Sequence, residues 1–120
     1  MFKILTSRYI ITLEIKKSIE LKQNIPDDKS IKKTEKKIIE LKKQSELKPT
    51  NSKILIELYT CYVEVSDTEK KIDCLKKISQ ISPNDFYSFQ QLADIYLNEL
   101  GDDKQAHIYQ NQANKLKNNF

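Results

Sequence analysis

From residue 52 onward, apolar side chains recur at intervals of three and four: Leu55, Leu58 and Tyr62, then Ile72, Leu75 and Ile78, then Phe89, Leu92 and Tyr96, and finally Ala106, Tyr109 and Ala113. That interval brings side chains back to the same side of an α-helix, so each set forms one stripe that has to be buried. Short polar stretches separate the paired stripes: Ser66-Asp67-Thr68 in one case, Gly101-Asp102-Asp103 in the other. Their side-chain oxygens suit the start of a helix, where they accept bonds from N–H groups that have no partner within the helix. The spacing predicts helices over about 52–65, 69–80, 86–99 and 104–117, preceded by helices over about 30–47 and 3–22. In the first of these, Ile11, Leu13 and Ile15 alternate with Thr12 and Glu14, a period that fits a short strand equally well.

Displacing the sequence by 34 residues lays Pro49 on Pro83, Leu55 on Phe89, Leu58 on Leu92, Tyr62 on Tyr96, Ile72 on Ala106, Cys74 on Ile108, Leu75 on Tyr109 and Ser79 on Ala113. Each pair is identical or shares apolar or small character, so four helices make two copies of one unit: helix, tight turn, antiparallel helix. One step further back, Ile38, Leu41, Ser45 and Leu47 fall on Ile72, Leu75, Ser79 and Ile81. Residues 30–47 therefore read as the second helix of an earlier, degenerate unit. Its first helix is out of register, because Asn24 and Asp28 occupy apolar places and Pro26 interrupts; Pro26-Asp27-Asp28 reads as a loop and helix start.

The period of 34 and the run PNDFYSFQQLADIYLNELGDDKQAHIYQNQA over residues 83–113 resemble the tetratricopeptide repeat, with Phe89, Leu92, Ala93, Tyr96, Ala106 and Ala113 at signature positions and Pro83 closing the preceding unit. The resemblance covers about two repeats, residues 49–116. The first departs from the pattern: Tyr59 stands where the first helix wants a small residue, and Ile72 or Lys71 where the second does. Larger side chains there should hold the two helices further apart. One extra residue before Gly101 lengthens the turn of the second repeat.

The resemblance implies an all-α fold of antiparallel helical hairpins stacked as a short right-handed solenoid. It divides the chain into N-terminal helices over 1–48 and two hairpins with a terminal cap over 49–120. It also implies a protein-interaction module, adaptor or small subunit of a larger assembly, with a groove lined by Lys53, Ile56, Thr60 and Val63 from one helix and Tyr87, Gln90, Asp94 and Leu97 from the next. The family's carboxylate clamp for chaperone tails needs several Lys, Arg and Asn at such positions; only Lys53 qualifies, so that specificity is not carried over. A different arrangement would have Ile56, Val63 and Leu97 packed against residues 1–47 of the same chain.

Composition narrows the functional classes. The net charge is +4 over 120 residues, yet 20 of the 21 basic side chains are Lys and only Arg8 is Arg. Base and phosphate recognition favours the planar fork of Arg over the point charge of Lys. Residues 1–50 carry 13 basic and 7 acidic side chains, residues 51–120 carry 8 and 10. The excess lies largely on Lys32, Lys33, Lys36, Lys37, Lys42 and Lys43, which read as the solvated face of one helix. An RNA- or ribonucleoprotein-associated role for the basic 29–48 helix is the alternative, and without aromatic side chains among the lysines such binding would be non-specific.

Little in the sequence supports catalysis or a cofactor. His107 is the sole histidine, on the side of its helix away from Tyr109 and Ala113, and Cys61 and Cys74 have no metal-ligand spacing. A single Gly rules out a glycine-rich phosphate cradle. The expectation is a protein without enzymatic activity, metal or cofactor, with no membrane-spanning run, located in the cytoplasm. Residues 1–13, which hold Lys3, Arg8 and hydroxyl side chains but no acid, leave mitochondrial import as the alternative. Residues 1–22 carry more apolar positions than one buried helical face requires, so that segment and the groove are expected to make partner contacts, with self-association or marginal stability of the isolated chain.

Overall fold

The computed structural model describes residues 27–118. They form five helices, α1 (Asp28–Leu47), α2 (Ser52–Glu64), α3 (Thr68–Ile81), α4 (Phe86–Asn98) and α5 (Asp103–Asn118), and no strand is found among them. The element expected over 3–22 lies outside the described residues. The remaining helices match expectation to within one or two residues. α1 starts two residues early because the Asp27 carboxylate accepts the Ser30 N–H at 2.7 Å and supports the first turn.

Each later helix starts on a polar cap. The Asn51 side chain accepts the N–H groups of Lys53 and Ile54 at 3.0 and 3.4 Å. Asp67 accepts that of Lys70, Asp85 that of Tyr87 and Asp102 that of Gln105, all at 3.1 Å. Each such cap stabilises its helix by about 1 kcal/mol.

The 34-residue period reaches the level of single hydrogen bonds. After α1, the Lys48 N–H donates to Gln44 O at 2.9 Å and the Asn51 N–H to Lys48 O at 3.1 Å; after α3, the Ser82 N–H donates to Ile78 O at 2.8 Å and the Asp85 N–H to Ser82 O at 3.0 Å. Within the helices, the Ser45 hydroxyl donates to Lys42 O at 2.8 Å and the Ser79 hydroxyl to Lys76 O at 2.7 Å. Thus α1 occupies the place of a second helix from an earlier unit, and the architecture is an all-α helical repeat. The compact unit that holds both hairpins begins at Ile31 and takes in α1 from that residue on.

Two apolar clusters hold this unit together, and α3 contributes to both. Cys74 and Ile78, one turn apart on α3, join Ile38 and Leu41 of α1 and Ile54, Leu55, Leu58, Cys61 and Tyr62 of α2. Ile72 and Leu75 face the other way, toward Leu92 and Ile95 of α4. Burial of each large side chain contributes roughly 1.5–3 kcal/mol. Aromatic stacking extends the second cluster, with ring centroids of Tyr96 and Tyr109 5.5 Å apart and those of Phe89 and Tyr109 6.5 Å apart.

Candidate functional site

The helices α2 and α4 bury one side and leave the other open. Ile54, Leu55, Leu58, Cys61 and Tyr62 point α2 into the core, so Lys53, Ile56, Thr60 and Val63 are left at the surface. On α4, burial of Ser88, Leu92, Ala93 and Ile95 leaves Tyr87 and Leu97 exposed and Gln90 and Asp94 half-buried. The four apolar members are 50% (Ile56), 47% (Val63), 59% (Tyr87) and 51% (Leu97) exposed, so α1 does not cover them. Some of the polar members are already engaged. The Thr60 hydroxyl donates to Ile56 O at 3.0 Å, and Gln90 donates to Asp94 at 3.2 Å while exchanging bonds with Gln110 of α5 at 2.8 and 3.0 Å.

Tyr59 joins the two helices. It packs against both apolar clusters, and its hydroxyl donates to Gln91 Oε1 at 3.3 Å. Burial pushes its pKa up, and the nearby Tyr87, Glu99 and Asp94 push it further in the same direction.

A second feature was not read from the sequence: a polar clasp between successive units. The Thr34 hydroxyl of α1 donates to Glu64 Oε2 at the end of α2, at 2.6 Å, and the Thr68 hydroxyl of α3 donates to Glu99 Oε1 just past α4, at 2.7 Å. In the second clasp Lys71, almost wholly buried, donates to both oxygens of Glu99 at 2.9 and 2.8 Å. The Lys71 ammonium, followed by the Thr68 hydroxyl, holds the Glu99 carboxyl below its ordinary pKa. The signal was present, because the tetrapeptide Thr-Glu-Lys-Lys occurs at both 34–37 and 68–71. A charged tetrapeptide reads as surface, which hides it from a search for apolar periodicity.

Beside α4 lies a recess of about 270 Å³, lined by Ala93, Asp94 and Leu97 of α4 and Asp103, Ala106, His107 and Gln110 of α5. The small side chains of Ala93 and Ala106 let the helices approach, while Leu97, Asp94 and His107 bring apolar and polar groups to the same place. His107 is exposed, as its helical position predicts. Cys61 and Cys74 are free and buried, and burial raises the pKa of both thiols, that of Cys74 to about 11, so they remain protonated near neutral pH. No group of metal-ligating side chains assembles among the described residues. None of their helices is long and apolar enough to cross a membrane.

The family described as Tetratricopeptide repeat protein 21 ARM repeat matches the chain over residues 6–112. The chain belongs to this family. Membership in this helical-repeat family accords with the 34-residue period and the stacked hairpins, and the match starts well upstream of residue 49, where the two clear repeats begin. Helical-repeat families of this kind serve generally as protein-interaction modules, whose stacked units present an extended surface. No curated protein matches the chain.

Proposed function

We propose that this chain acts as an adaptor or small subunit of a larger complex and holds its partner on the face formed by α2 and α4. The observation that carries this reading is the split character of those two helices. Each buries a full stripe in the core and still presents large apolar side chains, Ile56 and Val63 on one and Tyr87 and Leu97 on the other, at about half exposure. Apolar side chains grouped on neighbouring helices mark an interaction surface more strongly than the same residues scattered singly. The docked partner is held by this face without being chemically altered.

Site-specific crosslinking tests the assignment in native extract. A photo-reactive phenylalanine analogue in place of Ile56 or Leu97 captures a discrete partner, and the same analogue in place of the exposed Lys77 of α3 does not. Equal capture from all three positions, or capture only from position 77, refutes the assignment.

A further inference from the structure

Charge is sorted by helix class in this molecule. The helices of the open face, α2 and α4, carry three carboxylates, Glu57, Glu64 and Asp94, against a single lysine, Lys53. The helices α1, α3 and α5 carry fourteen lysines against seven carboxylates. The helices α2 and α4 are thus net acidic in a chain whose net charge is +4; Glu64 is taken up by Thr34 of α1, and Asp94 lies on the face that holds exposed Ile56, Val63, Tyr87 and Leu97.

We propose that the α2–α4 face docks a segment of another protein in which large apolar side chains are interspersed with lysine or arginine. This rests on the reading of that face as a docking surface and adds the chemistry of its occupant. Apolar side chains of the segment cover Ile56, Val63, Tyr87 and Leu97, removing apolar area on both sides from water. The recess beside Asp94 suits a long cationic side chain. Its aliphatic stem lies along Leu97, Ala93 and Ala106, and its charged head reaches the carboxylates of Asp94 and Asp103. An acidic segment, or a nucleic acid backbone, meets like charge on this face.

The test uses the whole chain and three short synthetic peptides with helical spacing: one of Leu and Lys, one of Leu and Glu, and one of Ser and Lys. Binding is read by fluorescence anisotropy at two salt concentrations. The Leu/Lys peptide binds, and each of the other two binds at least about tenfold more weakly, a difference of about 1.4 kcal/mol. Asp94→Lys weakens the Leu/Lys peptide by about five- to tenfold and reduces its salt dependence. Leu97→Asp removes its binding, and Lys77→Glu on α3 leaves it within about twofold. All three positions are at least partly exposed, and circular dichroism verifies that the variants fold.

If the Leu/Glu peptide binds as well as Leu/Lys and Leu97→Asp removes both, the face docks proteins but the proposed chemistry is wrong. If Leu/Lys binding survives both Ile56→Asp and Leu97→Asp, the docking-face reading itself fails. Equal binding of the Ser/Lys peptide reduces the effect to bulk charge, and absence of Leu/Lys binding up to about 1 mM overturns the proposal. Self-association of the chain that Asp94→Lys abolishes assigns the face to a second copy and overturns an external partner.

Discussion

The two hairpins share a period but differ in what fills the space between their helices. In the second, Ala93 and Ala106 occupy the signature positions and Ala113 lies wholly inside, so α4 and α5 run close together along much of their length. In the first, the corresponding residues are Tyr59, Ile72 and Ser79, and α2 and α3 approach over less of their length. The bulky side chains do not simply wedge the first hairpin open. Ile72 turns toward Leu92 and Ile95, and Tyr59 bridges to Gln91 of α4. Bulk displaced from the interior of the first hairpin instead joins it to the second. The tight hairpin packs closely within itself, and the loose one contributes the contacts between units on which a repeat stack depends.

Core truncation should show the largest effect. Leu92 is fully buried where the hairpins meet, so Leu92→Ala is expected to cost about 3–5 kcal/mol in denaturant melts. His107→Ala, on the exposed side of α5, is expected to cost about 0.5 kcal/mol or less. Comparable losses from the two would show that the buried and exposed faces are misassigned. Overpacking sharpens the contrast between hairpins. Ala113→Leu has no room and is expected to cost about 1–3 kcal/mol, whereas Ser79→Leu at the matching, half-buried position of the first hairpin is expected to cost less than about 1 kcal/mol.

The clasps differ between the units as well, since among the described residues Glu64 meets only Thr34 whereas Glu99 meets both Thr68 and Lys71. Removing Glu99 strands the buried Lys71 ammonium, so Glu99→Ala is expected to cost about 1–3 kcal/mol and Glu64→Ala about 1 kcal/mol or less. Lys71→Met is milder than Glu99→Ala, because it leaves a partly exposed carboxylate that water can solvate. The pH dependence has a definite sign. The folded-state pKa of Glu99 lies below its ordinary 4.5, so its contribution is present above that value and is lost as pH falls through the lower folded one. Melts of the parent chain and Lys71→Met recorded from neutral pH down into that range should converge as acid protonates Glu99.

Helices α1 to α5 were legible because apolar spacing fixes the buried stripe, and the Asp-containing turns before α1, α3 and α5 mark their starts; the caps Asn51 and Asp85 emerge only in the structure. The residues of the open face came from the family resemblance; their exposure follows from the stripe that α2 and α4 bury on the opposite side. Lys71 was not. Burial of a lysine depends on a carboxylate 28 residues away, a relation that no local pattern encodes. The role of Tyr59 was half legible: its size identified the departure from the repeat, but only packing shows that the ring leaves its own hairpin for the next one.

The smallest expected effect separates the two turns. Ser66 and Gly101 both take left-handed backbone conformations, with φ of 57° and 63°. Each precedes the aspartate that caps the following helix, Asp67 in one turn and Asp102 in the other. The extra residue of the second turn lengthens the closing bond by one position: the Asp67 N–H reaches back to Tyr62 O at 3.0 Å, and the Asp102 N–H to Tyr96 O at 2.8 Å. A side chain in this backbone region costs about 1–2 kcal/mol through contact of its Cβ with the following carbonyl. Glycine avoids that contact but gives up roughly 0.4–1 kcal/mol through the greater freedom of its unfolded chain. Ser66→Gly should therefore stabilise the protein by about 0.5 kcal/mol. Gly101→Ser should destabilise it by a similar amount. A Cβ at position 101 meets nothing within 4 Å, so the loss there reports backbone strain alone. Paired thermal melts measure both, and a stabilising Gly101→Ser or a destabilising Ser66→Gly would show that the two turns do not share the conformation that joins each pair of helices.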